Sequence, residues 1–77
     1  MVREIAYERV DAELEAFSYP ILRDDAAAAL ADVTVTFRDG GDANLGALVS
    51  ETRSDAFHAV ADLEAELSAV VDARIEH

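Results

Sequence analysis

Apolar residues near the start of the chain recur every three or four positions, the spacing of one face of an α-helix. They are Val2, Ile5 or Ala6, Val10, Leu14 and Phe17. The spacing predicts an amphipathic helix over residues 2–17. Pro20 ends this helix within the Ser-Tyr-Pro sequence, because proline cannot continue a helix and disfavours helical geometry in the residue before it.

A second sustained stripe begins at Phe57 and runs toward the end of the chain. Its apolar positions are Val60, Leu63, Leu67 and Val70 or Val71. Acidic residues occupy the other side of this stripe, as expected for a helix with one buried face. The pattern predicts a second long helix, with Ser54 available as its N-terminal cap.

Two shorter elements are predicted between these helices. Residues 24–30 combine aspartates at the N-terminal end with a run of alanines, which favours a short helix. Residues 33–38 alternate apolar and polar side chains and are rich in β-branched residues. This alternation predicts a strand that buries Val33, Val35 and Phe37 on one face.

The sequence after the strand is typical of a turn, because residues 39–42 read Asp-Gly-Gly-Asp. A single strand leaves backbone groups unpaired, so either residues 43–45 return as a hairpin partner or the strand pairs with another molecule. We favour the hairpin. Residues 45–49 then predict a short helix capped by Asn44 and weakened by Gly46.

These elements predict a compact α+β domain covering residues 1–77, in the order α-α-β-β-α-α. Two long amphipathic helices pack with two short helices and a minimal β-hairpin. No repeat or linker divides the chain. A chain of 77 residues buries only about 60% of its unfolded surface. Its core is therefore modest, and self-association or a partner could add stability.

The charge balance is strongly acidic, with 17 Asp and Glu against six basic residues and a net charge of -11. All six basic residues are arginine, whereas ordinary usage would give about four or five lysines. Carboxylates hold water and cations at a crowded surface, and the lysine stem adds exposed hydrocarbon. We predict a protein of a high-salt cytoplasm that holds Na⁺ or K⁺ non-specifically. A GC-rich genome is the alternative explanation.

The predicted first helix sharpens this interpretation, because it places acidic residues one turn apart. Glu4 would lie beside Glu8, and Asp11 beside Glu15. Such pairs destabilise a helix by a few tenths of a kcal/mol in ordinary buffer. Added salt should relieve this repulsion.

Targeting signals are not found in the sequence. The first residues lack an apolar signal-peptide region, and no apolar run approaches 18 residues. The chain has no cysteine, which fits a reducing compartment and rules out disulfides. A cytoplasmic location without membrane contact is therefore expected.

No motif in the chain indicates catalysis, a cofactor or a metal. The acids fall on predicted solvated faces, whereas a catalytic pair needs contrasting environments. His58 and His77 have no partner at a metal-ligand spacing, and zinc needs three or four ligands. Asp39 and Asp42 lack the spacing of a calcium loop. We expect a protein that is not an enzyme.

Nucleic-acid binding is disfavoured, because the six arginines are spread singly and a basic footprint is expected for it. A local patch remains the alternative, since Arg23, Arg38 and Arg53 could meet in the folded chain. That arrangement would suit a nucleic-acid-associated regulator.

The remaining candidates are apolar surfaces for protein contact. We predict a non-enzymatic interaction or regulatory module, with homodimerisation as one form of that contact. Its candidate surface consists of Val10, Leu14, Phe17, Val60, Leu63, Leu67 and Val70. The same residues could instead pack the two helices together as core.

Several short motifs also carry a family resemblance. They begin with Phe17-Ser18-Tyr19-Pro20, which is followed by a short helix and by a strand ending at Asp39-Gly40. The Leu45-Gly46-Ala47-Leu48-Val49 stretch and a final helix come next. Together they resemble small acidic haloarchaeal proteins of unknown function. The resemblance covers about residues 17–71 and implies a source and an α+β architecture. Leu22 departs from it, because such proteins have a Thr or Ser helix cap there.

Overall fold

The computed structural model describes residues 3–38 and 40–75, so the predictions for Val2, Asp39 and His77 lie outside the described residues. The helices are α1 (Val10–Glu15), α2 (Arg23–Ala29), α3 (Leu45–Ser50) and α4 (Val60–Ile75), and a single 3-10 turn (Tyr7–Arg9) precedes α1. The strands are β1 (Arg3–Ala6), β2 (Ile21–Leu22), β3 (Val33–Thr36), β4 (Asp42–Asn44) and β5 (Ala56–Phe57). The α+β class is confirmed.

Strand β3 lies at the centre of a three-stranded sheet in the order β1-β3-β4. Strand β4 pairs with it antiparallel, with Val35 opposite Ala43, so the favoured hairpin is confirmed. Strand β1 covers the other edge in parallel orientation, with Ile5 opposite Val35. Because both edges of β3 are paired within the chain, it needs no strand from another molecule.

The prediction of a continuous helix over residues 2–17 is wrong. Residues 3–6 form β1, and only Val10–Glu15 form an α-helix after the 3-10 turn. The N–H of Arg3 donates to the carbonyl of Asp32 at 2.7 Å, and the Thr36 hydroxyl donates to the carbonyl of Ile5 at 3.3 Å. Pairing with β3 satisfies backbone groups that β3 would otherwise expose, so tertiary contact outweighs the local helical spacing.

The last helix begins three residues after Phe57, where the apolar stripe of the sequence begins. Phe57 is fully buried in β5, opposite Ile21 of β2, and α4 starts at Val60. Ser54 is not its cap, since its side chain contacts Glu66 inside the helix. The order within the described residues is therefore β-α-β-α-β-β-α-β-α with one long helix, not α-α-β-β-α-α with two.

The two short helices form as predicted. Helix α2 begins after Leu22, which occupies the cap position without a side-chain hydrogen bond. Helix α3 begins after Asn44, whose side-chain oxygen accepts a 2.9 Å hydrogen bond from the N–H of Ala47. The amide of Asn44 also donates to the carbonyl of Ala31 at 2.7 Å, which connects the start of α3 to the segment that follows α2.

The core lies between the central sheet and the helices, with α2 against α3 and α1 against α4. Its largest buried side chains are Phe57, Leu14, Leu45, Leu48, Leu63 and Leu67. Helix α4 crosses this core with one face only, which leaves its other sides available to solvent and to the segment before β5.

Candidate functional site

The seven residues of the predicted apolar surface divide into two groups. Val10, Leu14, Leu63 and Leu67 are at most 4% exposed and pack in the core, the alternative that their helical spacing allowed. Phe17, Val60 and Val70 are half-buried against that core. Only this second group retains surface that a partner could contact.

Val70 belongs to an open groove between α4 and the segment of residues 51–54. The groove has a volume of about 800 Å³. Its floor on α4 is apolar and consists of Ala69, Val70 and Ala73, with Glu66 and Arg74 on the same helix. These positions share one face, because they recur at three- and four-residue spacing. The opposite side is formed by Glu51, Arg53 and Ser54.

Glu66 fixes the segment that forms this opposite side. One oxygen of its carboxylate accepts hydrogen bonds from the N–H groups of Arg53 at 3.0 Å and Ser54 at 2.9 Å. The other oxygen accepts a hydrogen bond from the Ser54 hydroxyl. The Ser54 hydroxyl, together with these two N–H groups and the charge of Arg53, lowers the pKa of Glu66. These hydrogen bonds fix residues 53 and 54 at the rim of the groove. Because its pKa is lowered, Glu66 remains charged near neutral pH.

The charged groups around the groove balance in number, with Arg53 and Arg74 against Glu51 and Glu66. Arg74 lies 3.4 Å from Glu51, and both side chains are about half exposed. Arg53 is exposed and forms no ion pair within residues 3–38 and 40–75. A nearly neutral, apolar-floored groove thus lies on a chain of net charge -11.

A second, smaller cavity of about 280 Å³ lies where the 3-10 turn and α1 meet α4. It is lined by core side chains, including Val10, Leu14 and Leu67, and by Tyr7, whose ring lies 5.6 Å from that of Phe37. Its ionisable lining groups are acids and Tyr7. This cavity is the outer edge of the core packing.

The side chains considered for catalysis or metal binding either form structural hydrogen bonds or are exposed to solvent. No group of three acids and histidines in the described part of the chain is placed to hold a metal ion. The Tyr19 hydroxyl donates to the carbonyl of Leu14 at 2.7 Å, and burial, with the charge of Glu64, raises the pKa of Tyr19. His58 is exposed before α4.

The three arginines considered for nucleic-acid contact have different surroundings. Arg23 donates to the carbonyl of Thr52 at 3.0 Å and lies 3.7 Å from Asp55. Arg38 lies 3.9 Å from Glu8. Two of the three guanidinium groups thus face carboxylates, whereas Arg53 faces the groove.

In comparisons with known proteins, no protein-family model, curated protein or solved structure matches the chain. Among residues 3–38 and 40–75, no helix has the length and apolar character needed to cross a membrane. The resemblance to small haloarchaeal proteins stays a prediction.

Proposed function

We propose that this chain is a non-enzymatic protein-interaction module of a high-salt cytoplasm, which binds a segment of a partner protein in the groove between α4 and residues 51–54. The observation that carries the proposal is the open apolar floor of Ala69, Val70 and Ala73 beside a rim held by Glu66. An apolar centre with a polar rim is the usual composition of a protein interface.

The dimensions of the groove favour a short segment over a second whole domain. A volume of about 800 Å³ falls in the range of about 300–1,000 Å³ typical of ligand pockets. Standard protein interfaces instead involve about 20–30 residues on each side. A homodimer remains a competing arrangement that the experiments below distinguish.

A site-specific crosslinking experiment in the native cells tests this proposal. A photoreactive benzoylphenylalanine replaces Ala73 in the groove floor, and in a matched variant it replaces Ala61, which is exposed near the start of the same helix. We expect a discrete protein adduct from position 73 that position 61 does not give.

A second substitution connects the adduct to the groove. Val70→Glu places a charge on the apolar floor and should abolish the adduct from position 73, while circular dichroism confirms that the variant folds. Equal adducts from both positions, or an adduct that survives Val70→Glu, would contradict the proposal.

A further inference from the structure

We infer that the partner segment carries a carboxylate side chain next to an apolar residue, and that Arg53 pairs with this carboxylate at the rim of the groove. The inference rests on the proposed function and names the chemistry of its partner. It follows from the charge and position of one arginine.

Arg53 is held in place by its backbone while its side chain stays available. Its N–H donates to Glu66 at 3.0 Å, which fixes the residue at the rim. No carboxylate of the described residues lies within ion-pairing distance of its guanidinium. Four other arginines, Arg3, Arg23, Arg38 and Arg74, each have a carboxylate partner.

Glu66, the acid whose pKa the charge of Arg53 helps to lower, is already hydrogen-bonded. Glu66 accepts three hydrogen bonds from residues 53 and 54, so its oxygens are directed at that segment. An incoming carboxylate would give Arg53 the planar, two-point partner that a guanidinium binds best. Arg74, the other arginine of the groove, already pairs with Glu51 at 3.4 Å.

The apolar residue of the partner segment is inferred from the apolar floor of the groove. Ala69, Val70 and Ala73 give the floor a surface of apolar side chains, which favours an aliphatic side chain in the partner segment. A segment with leucine next to glutamate carries both kinds of side chain, one for the apolar floor and one for Arg53. Arg9 is also exposed and forms no ion pair with another described residue, and it does not line the groove, which makes it the matched control.

The test uses the isotope-labelled full chain and two blocked pentapeptides, acetyl-Ala-Leu-Glu-Ala-Ala-amide and the same peptide with Gln in place of Glu. Titrations are followed by amide chemical shifts. We expect the Glu peptide to shift the amides of Arg53, Val70 and Ala73, and to bind about fivefold more tightly than the Gln peptide, the ratio for an exposed ion pair.

Substitutions test whether the fivefold preference for the Glu peptide depends on Arg53. Arg53→Gln should weaken binding of the Glu peptide to the level of the Gln peptide and leave the Gln peptide unchanged. Arg9→Gln should preserve the fivefold ratio. Val70→Glu should abolish binding of both peptides, and its amide spectrum reports whether it remains folded.

Four outcomes would overturn the inference. If the two peptides bind the groove with equal affinity, the partner needs no carboxylate, and only the proposal that the groove binds a protein segment is retained. Binding of acetylglutamate amide as tight as that of the Glu peptide indicates a small carboxylate ligand instead. Absence of shifts at the groove with either peptide rejects this ligand class. Dimers in sedimentation that Val70→Glu dissociates assign the groove to a second copy.

Discussion

Gly46 of α3 lies so close to α2 that a Cβ atom on it would stand 2.5 Å from the carbonyl oxygen of Ala27. The same atom would lie 3.0 Å from the backbone N and Cα of Ala31. The N–H of Gly46 donates to the carbonyl of Leu30 at 3.2 Å. The glycine that weakens α3 as an isolated helix is therefore what lets the two helices pack backbone to backbone.

Gly46→Ala should lower the free energy of unfolding by about 2–3 kcal/mol, because the new methyl group meets backbone atoms that cannot move aside. Helix propensity alone predicts the opposite sign, a gain of about 1 kcal/mol. Urea unfolding followed by circular dichroism measures the difference. The exposed neighbour provides the control: Ala47→Gly should cost about 1 kcal/mol by propensity. A Gly46→Ala variant as stable as the wild type would contradict the packing.

Glu66→Gln should destabilise the chain by about 1 kcal/mol, because a neutral amide replaces a charged acceptor of three hydrogen bonds at a partly exposed site. Glu64→Gln, an exposed substitution on the same helix, is the matched control and should change stability little. Thermal unfolding of the three proteins at neutral pH provides the comparison.

The contribution of Glu66 should depend on pH in a defined direction. Its pKa is lowered in the folded chain relative to the ordinary value of 4.5, so folding favours the charged form. The added stability is complete above the unfolded pKa and is lost as the pH falls through the lowered pKa. The difference in Tm between wild type and Glu66→Gln should therefore shrink below pH 4.5. A constant difference on acidification would show that the hydrogen bonds do not depend on the charge.

Asn44 has two roles that substitutions can separate. Asn44→Ala removes both the cap for Ala47 and the hydrogen bond to Ala31, and should cost about 1–2 kcal/mol. Asn44→Ser keeps a cap acceptor but cannot reach Ala31, so its stability should lie between those of Asn44→Ala and the wild type. If Asn44→Ser matched Asn44→Ala in urea unfolding, capping would contribute nothing measurable.

The middle of the fold could be predicted from the sequence because local signals there agree with tertiary contacts. The alternation in β3, the turn and the Asn44 cap each specify one conformation by themselves. Residues 3–6 and 56–57 differ, because their apolar positions fit a helical stripe and their strand pairing depends on β3 and on β2, far away in sequence. The periodicity of apolar residues is a local signal and does not show which distant strand a segment pairs with.

The groove was only partly predictable for the same reason. Val70 belonged to the candidate surface, and the spacing of residues 66, 69, 70 and 73 is itself a helical face. Small alanines, however, are a weak signal in a chain this rich in alanine. The contact between Glu66 and Ser54 joins residues 12 apart in sequence that were assigned to a solvated face and a helix cap. No local pattern links them.

The strand assignment for residues 3–6 predicts an alternating pattern of amide exchange. In a parallel ladder the N–H groups of alternate residues face the same neighbour. Arg3 donates to Asp32, and the register directs the N–H of Ile5 toward β3 as well. Exchange measured by NMR should be slow at Arg3 and Ile5 and fast at Glu4 and Ala6. Slow exchange running without interruption from Ala6 would indicate the helix instead.

The corrected fold also changes which acidic neighbours should respond to salt. Asp11 and Glu15 are exposed one turn apart in α1, whereas Glu4 lies in β1 and Glu8 in the 3-10 turn. Glu15→Gln should raise stability in dilute buffer by a few tenths of a kcal/mol, since it also removes a negative charge from the C-terminal end of α1. Glu4→Gln changes the net charge equally and should gain less.

Salt should remove this difference, because screening shortens the range of the repulsion. The gain from Glu15→Gln should vanish as KCl rises to about 1 M, where the screening length is about 3 Å. The Tm of the wild type should rise most steeply below about 0.1 M, where the screening length exceeds about 10 Å. Thermal unfolding across this range measures both effects. A wild-type Tm that stays flat from dilute buffer to molar KCl would argue against acid repulsion as the source of salt dependence.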